Sequence, residues 1–180
     1  MYGCYSSSYT MKRLIILTIA FIITIAAIPG CSGTRQIKVD PPLDSTAVRD
    51  MVNSRSFVFI PQFVNPIGGR RRDLSSDFEF IVTKDSLISY LPFFGRGYVA
   101  PISPSDVDYD FTSKQFSYNV IPARKGWTIS IKPTDQQYLR ELFFRVFNNG
   151  SASLNVTSLD RSSISYDGYV TQRKEKEPTK

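Results

Sequence analysis

Histidine is absent from this 180-residue sequence, and cysteine occurs only at positions 4 and 31. Without histidine, the chain lacks the usual general base of a Ser-His-Asp or Cys-His site and the commonest transition-metal ligand. Two cysteines are too few for a thiolate metal cluster. Because no paired-carboxylate motif at helical spacing replaces these groups, we expect a protein that is not an enzyme and carries no cofactor or metal.

A strong excess of charge of one sign is also missing. The sequence has 22 Lys and Arg against 16 Asp and Glu. Two of the basic residues and none of the acidic ones fall in residues 1–30, and much of the remaining excess lies in residues 173–180. A mild balance of this kind does not support nucleic-acid binding. We expect residues 171–180 to form a disordered, charged and solvated tail.

The only long apolar run covers residues 14–28. It follows Met11-Lys12-Arg13 and ends in Pro29-Gly30-Cys31, which is the order of charge, apolar core and small-residue exit found in secretory signal peptides. A run of this length is shorter than the ~20 residues of a membrane-spanning helix. With cysteine directly after it, the segment 11–30 resembles a bacterial lipoprotein signal, and it predicts lipid attachment at Cys31.

This interpretation sets the domain organisation of the chain. Residues 1–10 precede the charged head and are expected to be a start-site overrun, with Met1 and Met11 both open as the start. Cleavage would leave Cys31 as the sole cysteine, so we expect no intramolecular disulfide. Residues 31–43 predict a polar tether, and residues 32–35 lack an acidic cluster. We therefore expect an exported cell-envelope lipoprotein, anchored in the outer membrane and facing the periplasm, with the leaflet left open.

Residues 44–170 are expected to fold as a single all-β domain. Residues 44–53 predict one short N-terminal helix capped by Asp44 or Ser45, because Val48, Met51 and Val52 fall at helical spacing. From residue 56 onward, apolar and polar residues alternate in eight or nine segments, which indicates an antiparallel sandwich or barrel. The predicted strands cover residues 57–63, 78–82, 87–94, 108–112, 115–120, 127–132, 139–147, 152–156 and 163–170. Asn149-Gly150 predicts a hairpin turn.

The candidate ligand-binding residues are Phe93, Phe94, Arg96 and Tyr98, in the stretch 91–98. They could form a binding lip, in which the aromatic rings supply apolar surface and the arginine binds an anionic group. The alternative, which we favour, is a bulged strand whose aromatic residues belong to the core.

Two further stretches carry polar groups that could bind or react. Residues 159–168 are rich in serine, but no histidine is available to activate a hydroxyl. Arg70, Arg71 and Arg72 follow two glycines, and they are interpreted either as a solvated hairpin tip, which we favour, or as a lipid-headgroup site.

Residues 91–98, 126–129, 150–156 and 161–168 together resemble the family called domain of unknown function 4251. The resemblance covers about residues 45–170. It implies a small secreted or lipid-anchored protein of Gram-negative bacteria with a β-rich, lipocalin-like barrel, and it brings no catalytic residues.

Two functional hypotheses follow. In the first, a membrane-anchored lipoprotein binds a small apolar or amphiphilic ligand inside an eight- to nine-stranded barrel. In the second, the barrel is solid, and the surface of this structural or interaction protein docks to an envelope partner. In both, the N-terminal lipid on Cys31 provides the contact with the membrane.

Overall fold

Residues 43–75, 77–98 and 108–173 are described by a computed structural model of the chain, and they form one helix and ten strands. The elements are α1 (Ser45–Ser54), β1 (Phe57–Pro66), β2 (Arg72–Asp73), β3 (Glu79–Val82), β4 (Leu87–Leu91), β5 (Tyr109–Ser113), β6 (Phe116–Ala123), β7 (Gly126–Pro133), β8 (Leu139–Phe147), β9 (Ser151–Ser158) and β10 (Ile164–Thr171). Within these residues no helix has the length and apolar character needed to cross a membrane. The predicted start-site overrun, signal peptide, Cys31 attachment site, tether up to residue 42 and tail from residue 174 lie outside the described residues.

The strands form one antiparallel sheet in the order β5-β4-β3-β1-β10-β9-β8-β7-β6, and β2 pairs with the end of β1. The two outermost strands, β5 and β6, are consecutive in the chain and are separated only by Lys114 and Gln115. Because so short a link joins the two edges, the sheet must curl round on itself, and it forms a nearly closed barrel. The predicted all-β antiparallel barrel with one short helix is therefore confirmed.

The side chain of Asp135 stabilises the junction between β5 and β6, at residues 113–115, where the two edges of the sheet meet. It lies in the connection from β7 to β8, and its carboxylate accepts hydrogen bonds from Ser113 Oγ at 2.5 Å and from the amides of Lys114 at 2.8 Å and Gln115 at 3.3 Å. These bonds, the one from Ser113 above all, hold the pKa of Asp135 below its ordinary value. The backbone amide of Thr134 adds a bond to the Gln115 carbonyl at 2.8 Å.

Alternating strand residues fill the barrel with aromatic side chains. The ring of Phe144 on β8 lies at its centre, with ring centroids 5.9 Å from Phe57, 5.6 Å from Phe59 and 5.5 Å from Phe80. All four side chains are fully buried. The contacts with Phe57 and Phe59 are edge to face and that with Phe80 is tilted, and such contacts add to the stabilisation that comes from removing large apolar surfaces from water.

The helix α1 packs on this core through the three predicted residues, Val48, Met51 and Val52, which are all buried. It ends at Arg55, which has a left-handed backbone conformation with φ of 55°. The guanidinium of Arg55 lies 5.1 Å from the ring centroid of Tyr118, whose hydroxyl donates a hydrogen bond to the Val52 carbonyl at 3.0 Å. Burial raises the pKa of Tyr118, so this hydroxyl stays protonated and keeps its role as a donor.

Three local features differ from the sequence prediction. Strand β4 ends at Leu91, since Pro92 has no amide hydrogen to continue the ladder, and residues 92–94 belong to the connection toward β5. The hairpin at Asn149-Gly150 forms, but only the glycine has positive φ (83°), and its amide bonds to the Phe147 carbonyl at 2.9 Å. This is a type I turn followed by a left-handed glycine, rather than a turn with two positive φ values. The two-residue strand β2 is too short to produce a periodic pattern.

Candidate functional site

The two stretches that the sequence singles out, around residues 91–98 and 159–168, meet at one end of the barrel. Gly97 forms an antiparallel bridge with Arg161. The amide of Tyr98 bonds to the Asp160 carbonyl at 2.7 Å, and the amide of Ser162 bonds to the Arg96 carbonyl at 2.9 Å. We call residues 92–98 and 159–162 the loop pair. Its backbone bonds join the connection after β4 to the turn between β9 and β10.

Arg161 occupies the centre of the loop pair. Its guanidinium carbon lies 5.1 Å from the ring centroid of Phe93 and 5.0 Å from that of Tyr109, and the two rings meet edge to face at 5.5 Å. Its Nη2 and Nε atoms donate to one carboxylate oxygen of Asp160, at 2.9 and 3.1 Å. The other oxygen of Asp160 is buried and has no hydrogen-bond partner among the described residues. An arginine is thus held among aromatic rings as the sequence suggests, but it is Arg161 and not Arg96.

Two tyrosine hydroxyls tie the loop pair to the barrel. The hydroxyl of Tyr166, on β10, donates to the Pro92 carbonyl at 2.8 Å. The hydroxyls of Tyr109 and Ser158 lie 2.9 Å apart in a second bond. Burial raises the pKa of both tyrosines, so both hydroxyls remain protonated across the physiological range.

Close packing also requires the glycine in the middle of the first loop. A Cβ on Gly95 would lie 2.5 Å from Phe93 Cζ and 2.5 Å from Ser162 Oγ. The hydroxyl of Ser162 instead accepts a hydrogen bond from the Arg96 amide at 3.0 Å. The glycine lets the two loops approach until their backbones bond.

The four predicted binding residues do not surround a common point. Phe93 is 9% exposed and belongs to the buried cluster, as in the core interpretation. The side chains of Phe94, Arg96 and Tyr98 are exposed at the surface. Phe94 is contacted by Arg72, whose guanidinium carbon lies 4.8 Å from its ring centroid. The structure therefore separates one core residue from three surface residues.

Large apolar side chains collect on the surface of this same end, and we call them the end surface. Their exposures are 71% for Ile67, 40% for Phe94, 69% for Tyr98, 60% for Tyr138 and 56% for Leu159. The amide of Leu159 bonds to the Tyr138 carbonyl at 2.8 Å, which brings these two neighbours together. The sequence pattern does not single out Ile67, Tyr138 or Leu159, because isolated apolar residues are common on protein surfaces and only their grouping is informative.

Three arginines lie beside the end surface, in the turn between β1 and β2 and at the start of β2, and we call residues 67–72 the arginine turn. Arg70, Arg71 and Arg72 are all exposed. The guanidinium carbon of Arg71 lies 3.8 Å from the ring centroid of Phe63, and its Nη1 lies 3.8 Å from a carboxylate oxygen of Asp167. The turn is therefore held against β10 as well as against β1.

The model of the family described as Domain of unknown function (DUF4251) matches residues 43–170, which include α1, the strands through most of β10 and both loops of the loop pair. The chain belongs to the DUF4251 family. The crystal structure of a DUF4251 family protein from Bacteroides eggerthii DSM 20697 is similar in fold, with a TM-score of 0.52 and 14% sequence identity. The similarity covers 72% of this chain and 85% of that one. No curated protein matches the chain.

Membership in DUF4251 confirms the resemblance. The similarity to the solved structure, at 14% identity, concerns the fold alone. Residues 1–42 lie before the matched region. The loop pair and the arginine turn are therefore parts of the family domain, whereas Cys31 is not.

Proposed function

We propose that this DUF4251 protein is a non-enzymatic lipoprotein of the bacterial cell envelope. It is anchored through Cys31 on the periplasmic side of the outer membrane, and it acts through its outer surface by docking to an envelope partner. The observation that carries this proposal is the filled interior of the barrel. The alternative is a small apolar or amphiphilic ligand bound inside the barrel.

The interior favours docking over an enclosed ligand. Phe57, Phe59, Phe80 and Phe144 are fully buried and in ring contact across the barrel, and Tyr166 is buried with its hydroxyl bonded. A ligand would have to displace several of these side chains, at a cost comparable to the 3–5 kcal/mol by which losing one large aromatic residue destabilises a core.

The end surface provides exposed apolar side chains that a partner could contact. Apolar side chains that are more than half exposed normally occur singly, whereas a concentration of them at one end marks an interaction site. Tyr98, Tyr138 and Leu159 lie on connected backbone segments of the end surface. Tyrosine is among the residues most enriched in protein interfaces.

Crosslinking in intact cells tests the docking proposal. We would place a photo-crosslinking residue at Leu159 in the end surface and, as a matched control, at Asn119, which is exposed on β6. Envelope adducts are expected from position 159 and not from position 119. Adducts from both positions, or from neither, would argue against docking at the end surface. If the native mass spectrum of the purified protein also shows a stoichiometric small molecule, the ligand-binding alternative is favoured.

Anchoring is tested separately by replacing Cys31 with serine. Because a signal ending in cysteine directs acylation and several acyl chains give stable membrane attachment, the variant is expected to leave the membrane fraction after a high-salt wash, which removes electrostatic contacts but not an acyl anchor. A Cys31→Ser protein that stays with the outer membrane at the wild-type level after this wash would refute the lipoprotein assignment, whatever the crosslinking result.

A further inference from the structure

The arginine turn between β1 and β2 presents its charged groups in a form suited to phosphate. A guanidinium stacked on a ring uses its flat face for the stack and leaves its edge donors available. The guanidinium carbon of Arg71 lies 3.8 Å from the ring centroid of Phe63, and that of Arg72 lies 4.8 Å from the ring centroid of Phe94. Because Nη1 of Arg71 also lies 3.8 Å from a carboxylate oxygen of Asp167, Arg70 and Arg72 are better placed than Arg71 to bind a phosphate. The edge of a guanidinium matches the geometry of a phosphate group and can form bidentate, charge-assisted hydrogen bonds with it.

An apolar residue projects from the same turn. Ile67 follows the last residue of β1 and is 71% exposed. Next to it, Gly68 has φ of +73° with open space around it, and the amide of Gly69 closes the turn on the Pro66 carbonyl at 3.1 Å. Phe94 adds a ring that is 40% exposed beside Arg72.

Nearby carboxylates partly offset the positive charge of the turn. Asp167 accepts a hydrogen bond from Asn65 Nδ2 at 2.8 Å and lies near Arg71, and Asp73 is the last residue of β2. Asp77 is exposed four positions after Asp73, so the three arginines are matched in number by three carboxylates, and Arg96 on the adjoining loop supplies the positive excess. The turn keeps a local positive balance around its apolar tip.

We propose that the arginine turn and Phe94 bind the anionic surface of a phospholipid bilayer. The arginines contact lipid phosphates, while Ile67 and Phe94 enter the boundary between headgroups and acyl chains. A nucleic acid or another soluble polyanion would use the arginines but offers no apolar layer for the isoleucine. This inference deepens the proposed function, because it names the partner of one part of the end surface. It does not require the lipid on Cys31, because the contact is made by the folded domain.

Vesicle binding tests the proposal with a chain that begins at Ser32, so that neither a lipid nor residues 11–30 contribute. This chain keeps all of α1 and the ten strands, and the buried core runs from Val48 to Val170. Sedimentation is measured with vesicles of phosphatidylethanolamine and phosphatidylglycerol, and with vesicles of phosphatidylcholine alone. Binding is expected only to the anionic vesicles and is expected to weaken with salt.

Variants locate the contact. Since a basic residue near an anionic surface contributes about fivefold in partition, Arg70→Gln with Arg72→Gln is expected to reduce binding about 25-fold. Ile67→Ser is expected to reduce it about tenfold without changing the charge. The matched control, Arg124→Gln with Lys125→Gln, removes the same charge from the exposed turn between β6 and β7 and is expected to reduce binding less than threefold.

Circular dichroism confirms that each variant is folded before its binding is compared. Absence of binding to anionic vesicles, equal losses from the two double variants, or heparin binding that survives Ile67→Ser with no vesicle binding would each overturn the inference. Such a result would leave the Cys31 and crosslinking tests standing, so the two proposals fail independently.

Discussion

The hydroxyl of Tyr166 provides a sharp test of how the loop pair is held. It donates to the Pro92 carbonyl at 2.8 Å, and both residues are buried. Tyr166→Phe removes the donor without changing the ring that packs in the core. The Pro92 carbonyl would then lose this bond in a place where water does not readily replace it.

The expected cost follows from the burial of the bond. A typical hydrogen bond contributes about 1 kcal/mol, and leaving a buried acceptor unpaired costs about 1–3 kcal/mol, so we expect a loss of about 2 kcal/mol. The matched control is Tyr109→Phe, whose hydroxyl bonds to Ser158. Ser158 is only half-buried, and its hydroxyl also lies 3.5 Å from the Arg161 carbonyl oxygen, so we expect a loss of about 0.5–1 kcal/mol there.

Urea unfolding measures both losses. Trp127 is the single tryptophan and packs against the core, so its fluorescence reports unfolding of the barrel. Tyr166→Phe should lower the unfolding midpoint with an unchanged urea dependence, and it should lower the Tm by about 7 °C for a domain of this size. A Tyr166→Phe loss below about 0.5 kcal/mol, or one smaller than that of Tyr109→Phe, would refute this account of the loop pair.

Three other perturbations test the barrel itself. Gly126→Ala is expected to lower the free energy of unfolding by about 3 kcal/mol or more, because a Cβ there would lie 2.0 Å from a backbone carbonyl oxygen. The control Gly68→Ala, in open space at φ +73°, should lower it by about 1 kcal/mol. Equal shifts of the two variants on thermal unfolding would contradict this. Phe144→Ala is expected to cost about 3–5 kcal/mol in urea unfolding, and a loss below about 2 kcal/mol would argue against a tightly filled interior. The lowered pKa of Asp135, due first to Ser113, gives stability that is present above about pH 4 and is lost as the pH falls through that pKa. The difference in unfolding free energy between wild type and Asp135→Asn should thus be about 1 kcal/mol at pH 7 after solvent screening, and it should decrease as the pH falls through the lowered pKa. A difference that does not depend on pH would argue against the role of Asp135 at the β5–β6 junction.

Sequence periodicity is enough to predict most of the barrel strands, because each alternation reports one buried and one exposed face. The prediction of β8 matches its observed bounds, and α1 uses the three apolar residues that its spacing selects. Periodicity does not show where a strand stops when the apolar residues continue, as they do through Phe93 and Phe94. There the strand ends because Pro92 has no amide hydrogen to donate to the sheet. Phe93 is nevertheless buried, because it packs within the loop pair.

The candidate site is less predictable, since it is assembled from distant segments. The sequence selects both loops, but it does not reveal that Arg161 lies between the rings of Phe93 and Tyr109. That contact depends on the β9–β10 turn reaching the connection after β4, which the strand order sets. The exposed Tyr138 and Leu159 become a surface only when the register pairs Leu139 with Ser158.

The position of β1 in the sheet has a consequence for how the chain folds. Strands β3 to β5 and strands β6 to β10 each pair with their neighbours in sequence, whereas β1 lies between β3 and β10 and joins the two series. Its pairing with β10 connects residues about 100 positions apart, such as Asn65 and Asp167. Closing so long a loop costs about 3 kcal/mol more conformational entropy than closing a short hairpin. The two meanders can therefore form early, and docking of β1 onto β10 is the step expected to limit the folding rate.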